Sequence, residues 1–175
     1  LGGRIARNNI RVHLDGQGLE AVLTGLYLPR GEQLIDHHMV VEHAQPHCVS
    51  HEYFNGILDD HARGVFHGRI HVHKGADQTD AKQTNKNLLL SDHAMVDTKP
   101  QLEIYADDVK CTHGATVGQM NPEQIFYMRA RGLTEENARH MLMHAFAGEI
   151  IERIACGPVR EELDRLVWDR LEKKG

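Results

Sequence analysis

The apolar positions between Arg7 and Gly118 come in short runs rich in Val, Ile, Leu and Tyr, which Gly, Pro, Asp or Asn breaks about every ten to twelve residues. Apolar and polar side chains alternate in several runs, which is the period of a half-buried strand. The predicted strands are Ile10–Leu14, Ala21–Leu23, Leu26–Leu28, His38–Val41, Val65–His67, Ile70–His73, Leu88–Leu90 and Leu102–Tyr105. Residues 76–87, rich in Thr, Asn and Asp, are interpreted as coil or weak strand.

Evenly spaced short strands fit a sandwich, a barrel or a β-solenoid. Tight hairpin signals are rare, and Asn55-Gly56 is the clearest of them. A solenoid needs no tight hairpins, because each coil leads into the next in parallel. The pattern therefore favours a parallel β-helix over a jelly roll.

Helix signals begin after Gly118. Asn121 and Pro122 form a helix start, Gly132 ends that helix, and Thr134 caps a second one. The second helix carries apolar residues at helical spacing, namely Ala138, Met141, Leu142, Ala145, Phe146, Ile150 and Ile154. Gly157-Pro158 is interpreted as a break before a last helix from about residue 160 to 171, with Leu163, Leu166, Val167 and Leu171 on one side. The chain thus divides into a β-helix core over residues 1–120 and a helical module over residues 121–175.

Composition excludes several classes of protein. The 175 residues are 41% hydrophobic and 26% charged, which suits a folded domain. The formal net charge is −5 and no block of Lys and Arg occurs, so we expect no nucleic-acid partner. No apolar run approaches the ~20 residues of a membrane span, so we expect no membrane association. Three cysteines without a Cys-x-x-Cys pair fit a reducing cytoplasm rather than a disulfide framework.

The 14 histidines raise the prospect of a metal site. His71 and His73 share one face of a strand, but the glycine and glutamate that would complete a cupin metal motif around them are absent. His43, His47 and His51 have the spacing of a helix face, which the intervening Pro46 disfavours. We interpret these groups as exposed or hydrogen-bonded strand histidines, and no metal site among them is certain. A His-rich metal-binding β-barrel stays open as an alternative.

Asp107 and Asp108 could serve as paired carboxylates in a β-helix polysaccharide lyase or hydrolase. Neighbouring strand residues face opposite sides, so the pair suits a turn better than acid–base catalysis. No phosphate-binding Gly-x-x-x-x-Gly-Lys loop and no Gly-x-Ser-x-Gly elbow occur in the sequence. The carbohydrate-active enzyme is a second alternative.

Cys111 and His113 stand two positions apart in Lys-Cys-Thr-His-Gly, so an extended strand places their side chains on one side. A thiolate and a neutral imidazole are both suitable ligands for iron. The plainer interpretation is a small buried cysteine beside a capping histidine, and residue chemistry alone leaves both open.

The segments 105–118 and 123–132 resemble the C-terminal half of the SufB/SufD family, the scaffold components of the SUF iron–sulfur cluster assembly machinery. Residues 64–68, 83–91 and 98–104 carry the same likeness, which extends over roughly residues 4–154. The run Lys-Cys-Thr-His-Gly-Ala-Thr-Val-Gly is similar to the SufD branch. The chain opens on Leu1 rather than Met, so we expect a C-terminal portion that lacks the family's N-terminal helical domain.

The resemblance implies a right-handed parallel β-helix followed by a C-terminal α-helical module, in a non-catalytic scaffold subunit. It implies pairing with a SufB-type subunit, with His113 at the contact and Cys111 as the weaker site candidate. It also implies docking of a SufC-type ATPase on the helices, for which the candidates are Ile125, Tyr127, Met128, Arg129, Met141 and Phe146. An iron–sulfur cluster wants about four ligands, so we expect none to be bound by this chain alone and one to form transiently at the heteromeric interface. The isolated chain is expected to form a homodimer through exposed strands.

Overall fold

The computed structural model describes residues 3–172, and strands dominate its first two thirds. The strands are β1 (Ile5–Leu14), β2 (Glu20–Tyr27), β3 (Leu34–His43), β4 (Val49–Leu58), β5 (Arg63–Val72), β6 (Asp80–Leu89), β7 (Met95–Ile104) and β8 (Lys110–Gln119). Odd-numbered strands form one four-stranded sheet in the order β1-β3-β5-β7, and even-numbered strands form the other in the order β2-β4-β6-β8.

All strand pairs are parallel, and each coil contributes one strand to each sheet. Residues stacked in neighbouring coils are 29 to 32 positions apart in sequence. The molecule is therefore a β-solenoid of about four turns followed by helices, which confirms the predicted fold class. The alternative of a closed barrel is wrong, because both sheets end in edge strands.

The clearest hairpin signal, Asn55-Gly56, does not form a turn, since both residues lie inside β4. Gly56 is needed there for space rather than for a turn, because a Cβ at this position would collide with the Tyr27 ring. The Asn55 amide donates to the Phe146 carbonyl oxygen at 3.1 Å, so its polarity serves a contact with a helix.

Of the two interpretations of residues 76–87, coil or weak strand, the strand is correct over most of the range, because β6 begins at Asp80. Two of its inward polar side chains, Asn85 and Asn87, find partners inside the solenoid. Asn85 donates to the Tyr27 hydroxyl at 3.2 Å and to the Phe54 carbonyl at 3.1 Å, and Asn87 donates to Asn85 at 2.7 Å. Buried hydrogen bonds of this kind let polar residues occupy a core strand.

The corners of the coils are stacked as well as the strands. His47, Gln78 and Asp108 each adopt a positive φ at equivalent corners, with values of 61°, 56° and 51°. The His47 amide donates to the Asp77 carbonyl at 2.9 Å, and the Gln78 amide donates to the Asp108 carbonyl at 2.9 Å. Each corner is thereby tied to the one in the next coil.

Three helices follow the strands: α1 (Pro122–Ala130), α2 (Glu135–Ile151) and α3 (Gly157–Glu172). The predicted caps are confirmed, since the Asn121 side chain accepts from the Glu123 amide at 2.8 Å and Thr134 from the Asn137 amide at 3.2 Å. Gly157-Pro158 opens α3 rather than forming the break, because proline fits the first turn of a helix.

The predicted apolar face of α2 is only partly correct. The buried residues are Ala138, Met143, Ala147, Ile150 and Ile151, whereas Met141 is 47% exposed. Apolar residues occur on more than one side of this helix, so spacing alone does not identify the side that meets the solenoid. That contact is a cluster of Leu28, Ile57, Leu88, Met143, Ala147, Ile151 and Val167. Of the predicted face of α3, only Val167 is fully buried.

Candidate functional site

Cys111 and His113 lie in β8, the edge strand of the even-numbered sheet. In the parallel register Cys111 pairs with Ala81 and His113 with Gln83, both of which are buried. Since paired residues of neighbouring parallel strands share a face, Cys111 and His113 are on the interior side of the last coil. The structure thus brings the two residues to one side of one strand, as their spacing predicts.

The interior of the last coil is uncovered. Inward positions of β6 are buried, whereas nearly all of β8 is exposed, including Val117 at 48%. Within residues 3–172 no further strand pairs with β8. His113 is exposed at this uncovered end, so its imidazole can be reached from outside while its strand rests on a packed core.

Cys111 is half-buried against a cluster that includes Ile70, Val72 and Ala81. Burial raises the pKa of its thiol, and the nearby carboxylates of Asp80 and Glu52 raise it further, although a backbone hydrogen bond at Ala81 works in the opposite direction. A raised pKa keeps the thiol protonated, and the thiolate is the form that ligates metal. This environment disfavours Cys111 as a metal ligand.

Beneath His113 lies a column of polar side chains that the sequence analysis missed. In register, Glu52 of β4 pairs with Gln83 of β6, and Gln83 pairs with His113 of β8. Glu52 is fully buried, and burial raises the pKa of its carboxyl to about 7. Ser50 and Gln83 flank the carboxyl and offset part of that rise, yet neither Glu52 oxygen has a partner with hydrogen-bond geometry. The alignment of positions 52, 83 and 113 becomes visible once the coil length of about 30 residues is known.

The other histidines do not form a common site. The ring centroids of His71 and His73 are 4.4 Å apart, but His71 Nδ1 makes a hydrogen bond with the Glu103 carboxylate at 2.9 Å. His43 is buried beside Ser50, His47 occupies a corner, and His51 contacts Tyr53. Burial lowers the pKa of His43 to about 4. Within residues 3–172 no group of three or more His, Cys, Asp or Glu is arranged to hold a metal ion.

Asp107 and Asp108 lie in the bend between β7 and β8, and Asp108 has a positive φ of 51°. The Asp107 amide donates to the Asp77 side chain at 3.2 Å, which ties this bend to the corner of the previous coil. The predicted turn role is confirmed.

The helical docking candidates are unevenly exposed. No residue of α1 is buried, and Tyr127 is 58% exposed. Ile125 and Met128 are partly buried, Arg129 is exposed, and Phe146 packs on the cluster between helices and solenoid. The sequence analysis missed Phe126, which is 74% exposed. Ile125 and Met128 lie three positions apart in α1, and an aromatic residue beside this short apolar stripe was the signal for it. None of the described helices has the combination of length and apolar character that crossing a membrane requires.

Fold and site together define a class of protein: a parallel β-solenoid with an uncovered last coil and a terminal group of helices. The family model described as "SUF system FeS cluster assembly, SufBD core domain" matches residues 1–146. The chain therefore belongs to the SufBD family of iron–sulfur cluster assembly proteins.

Three relatives illustrate the similarity. Iron-sulfur cluster assembly protein SufD of Escherichia coli is 41% identical over 171 residues, covering 98% of this chain and 40% of the relative. A SufBD family protein of Synechocystis is 37% identical over 95% of this chain and 37% of its own length. SufD of Bacillus subtilis is 28% identical over 93% of this chain and 37% of its own length. This chain thus spans about two fifths of the relatives it matches.

Proposed function

We propose that this chain is the core and docking portion of a SufD-type scaffold subunit. It has no catalytic role of its own and acts in a reducing, cytoplasmic setting. In this proposal a SufB-type subunit covers the last coil, and His113 supplies one ligand to iron or to a nascent cluster that the partner's residues complete. The observation that carries the proposal is the exposure of His113 on the interior side of an uncovered coil.

Exposed apolar side chains around that coil support a partner at this position. Met95, Tyr105 and Val117 belong to or adjoin the last coil and are 57%, 63% and 48% exposed. Exposed apolar groups beside an unpaired edge strand are typical of surfaces that another chain covers. Self-association of the isolated chain through the same edge follows from this surface.

The helices support docking of a SufC-type ATPase. Helix α1 has no buried residue, and it presents Phe126 and Tyr127 together, with the Arg131 guanidinium over the Tyr127 ring at 4.7 Å. Exposed aromatic residues with an adjacent arginine are common at the centres of protein interfaces. Force on α1 and α2 would reach the solenoid through the cluster that includes Met143 and Ala147.

The test is complementation of cells that depend on this subunit for cluster assembly. His113→Ala should fold and co-purify with the SufB-type and SufC-type subunits, but should abolish activity of a cluster-dependent reporter enzyme. The matched control is His61→Ala, which removes an exposed histidine from the loop between β4 and β5. Normal reporter activity with His113→Ala would remove this residue from the site. Equal loss with His61→Ala would indicate a general effect of histidine removal.

A further inference from the structure

The interior of the solenoid contains two sets of buried polar side chains, and only one set is hydrogen-bonded. Tyr27, Asn85 and Asn87 form a closed set, in which the Tyr27 hydroxyl donates to Asn87 and each amide has a partner. One step along β6, both amide atoms of Gln83 are buried without any hydrogen-bond partner. Both oxygens of Glu52 below it are also unpartnered. Buried polar atoms left unpaired destabilise a fold, so each one in a native protein calls for an explanation.

The fold makes space for the Gln83 amide. Gly68 of β5 faces it across the interior, and a Cβ at Gly68 would lie 2.5 Å from Gln83 Nε2 and 2.8 Å from Oε1. Any larger residue at position 68 would push the amide away. The glycine therefore leaves room for the amide between the two sheets, in the column where Glu52 of the preceding coil and His113 of the following coil are its register neighbours.

We propose that Gln83 is the positioning residue of His113, accepting a hydrogen bond from the inward ring N–H of His113 while its amide N–H donates to Glu52. The inference rests on the proposed role of His113 as a ligand. Gly68 contributes to the same arrangement, because its lack of a side chain leaves room for the Gln83 amide.

The chemistry decides the direction of each bond. A neutral imidazole can offer a lone pair to a metal from one nitrogen only when the other nitrogen carries the proton. An acceptor on the inward side holds the proton there and leaves the outward lone pair for the ligand, as second-shell acceptors do for metal-binding histidines. The amide oxygen of Gln83 is such an acceptor. One of its two N–H groups donates to a Glu52 oxygen, which accepts whether or not the carboxyl is protonated.

The experiment measures the tautomer of His113 directly. Long-range ¹H–¹⁵N spectra of the full chain, labelled with ¹⁵N-histidine, are recorded at pH 8.5, where an ordinary imidazole is neutral. The His113 signals are assigned by their loss in His113→Gln. Gln83→Met keeps length and volume but removes donor and acceptor, and it should shift the tautomer ratio of His113 about fivefold, as a hydrogen bond of ordinary net strength would.

A second variant protects the test if Gln83→Met fails to fold. Gly68→Ala should displace the amide and shift the ratio in the same direction. The controls are Gln119→Met, whose amide bonds Asp92 at 3.0 Å, and Gly118→Ala, where a Cβ meets nothing within 4 Å. Both should leave the ratio unchanged.

The outcomes separate this inference from the proposed function. An unchanged tautomer ratio in Gln83→Met and Gly68→Ala overturns the positioning role, while loss of cluster assembly in His113→Ala would still support His113 as a ligand. A shifted ratio together with normal assembly in His113→Ala would support the hydrogen bond and overturn the ligand role.

Discussion

Neighbouring strands β6 and β8 have the same register, the same orientation and similar inward positions, yet they have opposite environments. On β6 the inward residues Ala81, Gln83 and Asn85 are buried, whereas on β8 the inward residues His113 and Val117 are exposed. The two strands differ in their neighbours, since β6 lies between β4 and β8 whereas β8 pairs with β6 alone among the described strands.

The comparison teaches that burial in a solenoid depends on the next coil. In a stack of this kind each repeat contacts only its neighbours, so the terminal repeat keeps half of its interior contacts. The closed coils supply stability, and the open coil leaves the His113 side chain exposed on a rigid support. A partner that continued the stack would bury the inward residues of β8, as those of β6 are already buried.

The largest effect should come from truncating matched isoleucines in a closed and in the open coil. Ile70 is fully buried in β5, whereas Ile104 at the end of β7 is 39% exposed. Ile70→Ala should lower the free energy of unfolding by about 2–5 kcal/mol, through lost burial and the cavity left behind. Ile104→Ala should cost less than about 1 kcal/mol. Urea unfolding measures both, and equal losses would show that the last coil is as well packed as the others.

Periodicity and turn chemistry favoured parallel coils over a jelly roll and predicted the start of α1 and the cap of α2, whereas the family resemblance was needed to decide between the β architectures. Periodicity and turn chemistry failed where tertiary packing overrides local preference. Asn85 and Asn87 indicated coil or only a weak strand, because the sequence does not show the Tyr27 hydroxyl that binds them. Asn55-Gly56 was the clearest hairpin signal, because the approach of the Tyr27 ring is equally hidden. Of the site, the Cys111–His113 spacing was readable, but the column beneath His113 depends on the coil length, which no single strand reveals.

A pH-dependent effect should distinguish the closed coils. The pKa of Glu52 is raised from 4.5 to about 7 by burial, so the native state binds this proton more tightly than the unfolded chain does. Stability therefore falls as pH rises from about 4.5 to about 7, and the full cost, on the order of 3 kcal/mol, persists above that range. Glu52→Gln removes this cost. Its stability relative to the native sequence should increase across that pH range, as measured by urea unfolding at pH 5 and pH 8.

His43 imposes the opposite trend in the native protein. Its pKa is lowered from 6.5 to about 4, so the native state holds fewer protons and stability rises between those values. The two trends offset each other where they overlap, and Glu52→Gln should therefore leave a curve that rises from about pH 4 to 6.5. Glu161→Gln, which neutralises an exposed carboxylate in α3, is the control and should change the free energy of unfolding little at either pH. A gain for Glu52→Gln that is the same at pH 5 and pH 8 would contradict the assignment.

The smallest effect concerns the three cysteines, which differ in how deeply they are buried. Cys156 is exposed, Cys111 in the open coil is half-buried, and Cys48 is fully buried, with its thiol donating to the Gly16 carbonyl at 3.1 Å. Iodoacetamide should alkylate Cys156 first and Cys111 more slowly, because burial both shields that thiol and raises its pKa. Cys48 should react only through unfolding, at a rate about 10³-fold or more below that of an exposed thiol.

Peptide mapping over time gives the three rates, with urea-unfolded protein as the control in which all three react alike. A Cys111 as inert as Cys48 would mean that the last coil is already closed, and the contrast between β6 and β8 would then not hold in solution.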